Sequence, residues 1–442
     1  MHASNSRSAA VDALVKIENG VLISAALDEA LVAHKLNELD RALAAEIVYG
    51  SVRMQKTIDY VLNSISSIKI NALEPLVRNI LRTGAYQILY LDRVPVSAAV
   101  NEAVKLAPVK NRRKVSGYIN AVLRNLVRKH RSIQFPDLDS DPVGHVAVKY
   151  SHPEWLVKRW LDRYGLENTI RFCQINNTSP ELHLRVNTLR ISLEKLRNSL
   201  VEQGIAAEKG RFAPDVLICS RMLSPAADAS FEQGYYYIQN ESSALVAHAL
   251  APRPGEIVYD LCAAPGGKAT HLGQLMANQG QIIAVDQTRE RIELIQENAA
   301  RLGISIIKTL VGDARSLQLP TADRVLVDAP CSGLGVLRQR PDARWRRKEQ
   351  DIDSLAKLQR QILENAATLV KPGGTLVYAT CTTEPEENQD MIKWFLERYP
   401  HFSQSALPSW FPMSQSVGMT AILPFIHGID GFFICKLQNN QS

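Results

Sequence analysis

From about residue 236 to the end of this 442-residue chain, apolar β-rich runs alternate with amphipathic helical patterns. EIVYDLCAAPGGKATHLGQLMAN reads as strand, glycine loop and helix, and QIIAVDQTRERIELIQENAARLG as strand and helix. IKTLVGDA and RVLVDAPCSG are strand-to-loop units, SLAKLQRQILENAATLVKPGG is a helix ending at glycines, TLVYATC is a buried strand, and GFFICKL is a closing strand. This alternation restricts residues 236–442 to an α/β fold with a doubly wound, mainly parallel sheet. Ligands of such sheets bind beyond the carboxyl ends of the strands, so the residues that follow each strand are where chemistry is expected.

The rest of the chain is built differently. VDALVKIEN, SAALDEALVAHKL, DRALAAEIVYGSVRMQKTIDYVLNSI, LEPLVRNILRTGAYQILYL and SAAVNEAVKLA carry apolar residues at three- and four-residue spacing, which predicts an all-α bundle over residues 1–140. PDLDSDPVGH, residues 136–145, has linker composition. Over residues 146–235, an amphipathic helix (HPEWLVKRWLDRYG), a strand (ELHLRVNT), a helix (SLEKLRNSLVEQG) and a strand (DVLICS) predict a small α+β linker domain. At about 150 residues per domain the length also points to three domains.

Six cysteines are present, with no CxxC pair and no Cys/His cluster at zinc-ligand spacing, so neither a metal site nor a disulfide framework is expected. No apolar run reaches about 18 residues and the N-terminus lacks a signal-peptide core, so the expectation is a cytoplasmic protein without a membrane partner.

The first strand of the C-terminal segment runs into Cys262, Ala263, Ala264, Pro265, Gly266, Gly267 and Lys268. The glycines permit a tight turn and close backbone approach to a ligand, and the helix that follows offers free N–H groups. Asp286 ends the next strand, where a carboxylate suits the paired hydroxyls of a ribose. Asp313 follows the third, where an acid can accept from an adenine amine. The loop is neither GxxxxGK[ST] nor GxGxxG. A glycine pair there is often only a tight connection; the two acids shift the reading to an adenosine-type cofactor.

Asp328-Ala329-Pro330-Cys331 follows the fourth strand and Thr380-Cys381-Thr382 the fifth. Inert burial is the default for an isolated cysteine, and Cys173, Cys219 and Cys435 fit it. Two thiols at successive ligand-side strand ends do not. Their chemistry suits methylation of carbon 5 of cytosine. A thiolate adding at carbon 6 makes an enamine of the ring, so that carbon 5 can attack a methyl sulfonium, and a carboxyl such as Asp328 can protonate ring nitrogen 3. A second thiol would assist release. Methylation of exocyclic amines needs no such adduct.

DLCAAPGGKATH, VDAPCSGLGVLRQRPDARW, YATCTTEPEEN and HGIDGFF resemble the NOL/NOP2/Sun family of RNA cytosine-5 methyltransferases. The N-terminal helical domain resembles the antitermination factor NusB. The combination is similar to the bacterial members that act on 16S ribosomal RNA, and it covers essentially the whole chain. The resemblance implies a Rossmann-like methyltransferase domain, S-adenosyl-L-methionine as cofactor, 16S ribosomal RNA as partner and a monomeric enzyme. It implies Cys381 as nucleophile, Cys331 as the aid to product release, and cofactor contacts at Cys262–Lys268, Asp286, Asp313 and Asp328. Asp328 is thus a candidate for both cofactor contact and base protonation. Thr382 stands where the family usually has serine, and the hydroxyl is kept.

Residues 105–131 hold nine Lys/Arg and no Asp/Glu, among them Lys110, Arg112, Arg113, Lys114, Arg124, Arg128, Lys129 and Arg131. A run of one sign without compensating acid is expected to meet phosphate. A second cluster, Arg338, Arg340, Arg344, Arg346, Arg347 and Lys348, follows the Cys331 loop and is also expected to meet RNA. It surrounds Trp345, which would stack on a base or pack in a core. The target cytosine must be unstacked for a thiol to reach it, so single-stranded or loop RNA is expected. The other readings are the same chemistry on tRNA, a non-catalytic NusB-like RNA-binding factor, and a nicotinamide-dependent dehydrogenase. The dehydrogenase leaves both strand-end cysteines and the basic clusters unexplained.

Overall fold

The 3.6-residue apolar spacing of the N-terminal third folds as expected. In the computed structural model, which describes residues 5–107, 112–220, 228–411 and 417–441, this part forms the helices Asn5–Glu18, Ile23–Ala33, Glu38–Arg53, Gln55–Ile65, Pro75–Tyr90, Val96–Lys105 and Arg112–Lys129. The long pattern over residues 40–65 is two helices, because Met54 leaves helical geometry at φ −98° and ψ 16°. The amide of Lys56 donates to Ser151 Oγ instead, at 3.1 Å, and Thr57 Oγ1 donates to the Val148 carbonyl.

The proline- and aspartate-rich stretch after residue 135 ends in a helix, Pro142–Lys149, because Asp141 accepts the Gly144 amide at 2.8 Å and proline is tolerated in a first turn. The next helix, Glu154–Asn176, is interrupted at Gly165, whose φ of 72° only glycine adopts freely.

The chain divides into two units: residues 1–178 with 337–346, and residues 179–336 with 347–442. The first therefore contains a segment from the middle of the C-terminal half. Within it Arg344 is fully buried and donates to the carbonyls of Ser151 (2.9 Å), Asn176 (3.0 Å) and Arg53 (3.3 Å) and to Asn177 Oδ1 (2.9 Å). Trp345 packs against the helical core and donates Nε1 to the Val52 carbonyl at 2.7 Å. For Arg344 this corrects the expectation of RNA contact, because the guanidinium satisfies inward-facing carbonyls; for Trp345 it is the core-packing alternative that holds. Arg340, Arg346 and Lys348 remain exposed.

The second unit holds two sheets. The small one is antiparallel and joins β1 (Leu182–Val186), β2 (Ala207–Lys209), β3 (Val216–Cys219) and β4 (Tyr236–Ile238) in the order β2-β3-β1-β4. The large one contains β5 (Ile257–Asp260), β6 (Gln281–Asp286), β7 (Ile307–Val311), β8 (Ala322–Asp328), β9 (Val370–Thr380), β10 (Phe402–Gln404), β11 (Met419–Ile422) and β12 (Phe432–Asn439).

Its order is β10-β12-β9-β8-β5-β6-β7, with β11 also on β12. Pairing is parallel from β7 to β9 and antiparallel beyond, so the sheet is doubly wound and mainly parallel, as its apolar runs require. Val325, Leu326, Val327 and Leu376 to Ala379 are completely buried. The glycines after the helix Glu349–Leu369 lie inside β9, where a register shift opposite Ala322 accommodates them. No helix among the described residues is long and apolar enough to cross a membrane.

Arg344→Met should lower the unfolding free energy by about 2–4 kcal/mol, the cost of leaving several buried carbonyls without a donor. Denaturant titration followed by circular dichroism checks this; a change below about 0.5 kcal/mol, the size expected of a surface substitution, would contradict it.

Candidate active site

Parallel strands place their carboxyl ends on one edge. The strand order reverses between β5 and β8, and the crevice at such a reversal is where ligands bind. β5 delivers the loop Cys262–Lys268 to that crevice and β8 delivers Asp328. The loop is held from below by its own strand neighbours: the Ala263 amide donates to the Val285 carbonyl and the Ala264 amide to Asp286 Oδ2, both at 2.9 Å. Gly266 turns the chain at φ +98°, where a Cβ would meet the Ile295 backbone at 3.1 Å. Gly267 opens the helix Gly267–Leu275.

The small sheet fixes that helix start. Arg185 of β1 is buried and donates to the Gly267 carbonyl, to Gln239 Oε1 (2.6 Å) and to Thr270 Oγ1 (3.0 Å), with its guanidinium over Tyr237 at 5.2 Å. Burial pulls its pKa down to about 10, which still leaves a cation at neutral pH. Nearby, Asp215 accepts from His271 Nε2 (2.6 Å) and His248 Nε2 (2.9 Å), and the three could hold a metal ion. Burial lowers the His271 pKa to about 4, so it is neutral. The Asp215 charge is answered by Arg185 and two imidazoles, with Gln274 Nε2 at 3.2 Å, while His271 Nδ1 is buried without a hydrogen-bond partner.

The carboxylates expected at the strand ends are placed as follows. Asp328 accepts Lys268 Nζ at 2.5 Å. Burial works against the lysine's charge, but Asp328 outweighs it and raises the Lys268 pKa, so the ammonium persists. Asp286 is buried and accepts Arg291 Nε at 2.6 Å as well as the loop amide. Asp313, beyond the outer strand β7, is clasped by Arg315 at 2.5–3.0 Å and lies a third exposed. Burial drives the Cys262 thiol well up, so it stays protonated.

Sequence reading missed Asp260, the last residue of β5. It is fully buried, and neither carboxylate oxygen has a hydrogen-bond partner. Burial first, then the charges of Asp328 and Asp286, push its pKa up to about 7. An acid ending an apolar strand two residues before the loop was the available signal.

Cys331 and Cys381 converge. Their sulfurs are 3.3 Å apart, and the Cys381 amide points at Cys331 Sγ at the same distance. The hydrogen bond to Cys381 and burial hold Cys331 in its thiol form, far above the ordinary cysteine pKa. Cys173, Cys219 and Cys435 are buried, as expected.

Two glycines let the surrounding loops close. Gly335 donates to the Cys381 carbonyl (3.0 Å) and Gly431 to the Gly335 carbonyl (2.8 Å), and a Cβ on Gly335 would sit 2.4 Å from the Gly431 oxygen. Glu387 and Asn388 were also missed. They lie in a run, EPEEN, whose acids look solvated in sequence, yet Glu387 is fully buried.

Of the first basic cluster, Lys110 and the side chains of Arg112 and Arg113 lie outside the described residues. Lys114, Arg124, Arg128, Lys129 and Arg131 are exposed. Of the second, Arg347 donates to the Ser332 and Cys331 carbonyls at 3.0 and 3.2 Å, so it braces the cysteine loop.

Family models match three segments: "16S rRNA methyltransferase RsmB/F" over residues 247–438, "NusB family" over 4–128, and "Methyltr_RsmF/B-like, ferredoxin-like domain" over 152–224. The chain is 38% identical to the probable ribosomal RNA small subunit methyltransferase B of Bacillus subtilis, with 99% of each chain covered. It is 36% identical to the ribosomal RNA small subunit methyltransferase B of Salmonella paratyphi A, with 98% of each covered. The crystal structure of PH0851 superposes with a TM-score of 0.84 at 31% identity over 98% of each chain. That of NSun6 from Pyrococcus horikoshii with SFG superposes at 0.60 and 25% identity, over 66% of this chain and 99% of that one.

Asp260 gives a pH dependence with a definite sign. Between its unfolded pKa near 3.9 and its folded value of about 7, the folded protein holds a proton that the unfolded chain has lost. This contribution is complete below about pH 4 and is lost as pH rises through 7. Asp260→Asn should therefore gain on the natural protein between pH 4 and pH 8 by about 2–4 kcal/mol in denaturant unfolding. Stability curves that stay parallel would contradict it.

Proposed function

The chain belongs to the family of ribosomal RNA small subunit methyltransferase B, and on that premise we propose that it methylates carbon 5 of a cytosine in 16S ribosomal RNA through a covalent Cys381 adduct. The observation that carries the chemistry is the 3.3 Å approach of two sulfurs at the ligand-side ends of β8 and β9.

S-adenosylmethionine is the proposed cofactor, and when bound it supplies an electrophilic methyl group on a cationic sulfonium. The residues fit such a group. Asp260, Asp286 and Asp328 surround a single lysine, and both oxygens of Asp260 await a donor. Asp328 pairs with Lys268 and Asp286 with Arg291, which leaves the buried acid Asp260 to answer a cation such as a sulfonium. The residues proposed to hold it are Cys262 to Lys268, Asp286, Asp313 and Asp328, with Asp260 added. The NSun6 relative carries SFG, an analogue of this cofactor. For Asp286 and Asp313 to serve a ribose and an adenine, each must share its carboxylate with the arginine it now accepts from.

Cys331 is held in its thiol form beside Cys381, so in this reading Cys381 is the sulfur that reacts as thiolate. Lys268 lies close enough for that charge to raise its own pKa, and it stabilises the thiolate in return. The thiolate adds to carbon 6 of cytosine. As the carbon–sulfur bond forms, the ring electrons move towards nitrogen 3, which takes a proton passed from the Lys268 ammonium through the Asp328 carboxylate and returns it by the same path before the product leaves. Carbon 5 of the resulting enamine is the nucleophile for the methyl group. Once methylated, carbon 5 loses its proton to a base, the carbon 5–carbon 6 double bond re-forms, and Cys381 leaves as thiolate. Cys331, in contact with the departing sulfur, stabilises it by hydrogen bonding.

Cys381→Ala should abolish methyl transfer to unmodified ribosomal RNA, while Cys331→Ala should accumulate a protein–RNA complex that survives denaturing electrophoresis. Full activity of the first, or normal turnover without a trapped complex in the second, would remove the respective role.

RNA binding is proposed to use the exposed cations of the helix Arg112–Lys129. Replacing Lys114, Arg124, Arg128 and Lys129 with Ala should flatten the dependence of log affinity on log salt by about 0.7 for each phosphate that is no longer neutralised. An unchanged slope in a filter-binding titration would place the RNA elsewhere.

A further inference from the structure

The loops after β8 and β9 are joined by a hydrogen-bonded path that bypasses both sulfurs. Ser332 follows Cys331 in the chain. Its amide donates to Glu387 Oε1 at 2.9 Å and its hydroxyl donates to Glu387 Oε2. That hydroxyl proton is committed to the carboxylate. The 2.7 Å contact between Ser332 Oγ and Thr382 Oγ1 must therefore have Thr382 as donor. Thr382 follows Cys381. The path thus runs from the neighbour of one cysteine, through the neighbour of the other, to a single acid.

The acid itself is anchored. Glu387 is completely buried; its Oε1 also accepts Gln359 Nε2 at 2.9 Å, and the same nitrogen holds the Pro330 carbonyl at 3.0 Å. Tyr378 of β9 donates to the Glu387 carbonyl at 2.8 Å. The next residue, Asn388, accepts from Thr380 Oγ1 (2.6 Å) and donates to the Thr382 carbonyl (2.9 Å). Burial raises the Glu387 pKa, and the donors from Ser332 and Gln359 counter it. All of these contacts lie within one unit and tie two catalytic loops to one rigid point.

We propose that Glu387 is a positioning residue, and that the Thr382–Ser332–Glu387 path sets the separation of Cys331 and Cys381. Two loops leaving adjacent strands have no reason to hold their side chains in van der Waals contact unless something fixes each loop to the other. The path does so immediately beside both cysteines.

The kinetic part of this proposal rests on the covalent-adduct reading; the spacing part does not. A redox equilibrium measures the spacing directly. The full-length protein is equilibrated with reduced and oxidised glutathione, in which two protein thiols and one glutathione disulfide give a protein disulfide and two glutathione thiols. Peptide mass spectrometry then quantifies the Cys331–Cys381 link. Thr382→Val, which removes the donor, should lower the equilibrium constant about tenfold, the weight of one buried hydrogen bond. Thr382→Ser should restore it. Glu387→Gln, isosteric but uncharged, should lower it as well, which keeps the test open if the valine variant folds poorly.

The same variants should show kcat reduced about tenfold or more with KM for RNA unchanged. An unchanged disulfide equilibrium in Thr382→Val and Glu387→Gln overturns the proposal, whatever their kcat. A shifted equilibrium with unchanged kcat supports the spacing role and counts against the covalent chemistry.

Discussion

The parallel pairing of β8 with β9 is the constraint from which the site follows. Val327 lies opposite Tyr378 and Asp328 opposite Ala379, so the chain leaves the sheet at neighbouring points three residues before Cys331 and two before Cys381. Neither cysteine could reach the other from non-adjacent strands. Because β8 also pairs with β5, the same arrangement sets Asp328 against Lys268 of the glycine loop. One pairing therefore brings together the sulfurs, the proton-bearing lysine and the turn that suits a cofactor. The glycines at 335 and 431 are required by the closeness this produces, since a side chain on either would strike the other's backbone.

Charge follows from the same geometry. Asp328 pairs with Lys268 and Asp286 with Arg291, while burial lifts the Asp260 pKa to about 7. On the other side of the loop, Arg185 of the small sheet grips the first turn of the helix Gly267–Leu275. The small sheet is thus part of what holds the glycine loop in shape. The segment after the Cys331 loop has a comparable double use: Arg347 braces the cysteine loop, while residues 337–346 belong to the core of the helical unit.

Much of this was legible in the residues. Continuous apolar runs ending in Gly266-Gly267, Asp286, Asp328-Ala-Pro-Cys331 and Thr380-Cys381 fixed the sheet and its ligand edge, because periodicity and strand-end chemistry are local properties. What escaped was tertiary. Arg344 looks like part of an RNA-facing cluster until the carbonyls of Ser151 and Asn176 are seen to need its donors. Glu387 sits in an acidic run that reads as solvated, and only the fold reveals Ser332 and Gln359 waiting for it. The short strands β2 and β4 span three residues each, too few for a period-two pattern to register. The break at Met54 depends on Ser151, 95 residues after the amide it receives.

The central claim is that Cys381 bonds to carbon 6 of a cytosine while Cys331 only assists. It is tested most directly with RNA whose target cytosine carries fluorine at carbon 5. Methylation can then proceed but loss of the carbon 5 substituent cannot, so the adduct persists. Peptide mass spectrometry of the trapped complex should find the nucleotide on the peptide containing Cys381. A nucleotide on the Cys331 peptide, or methylation with no adduct at all, would contradict the account.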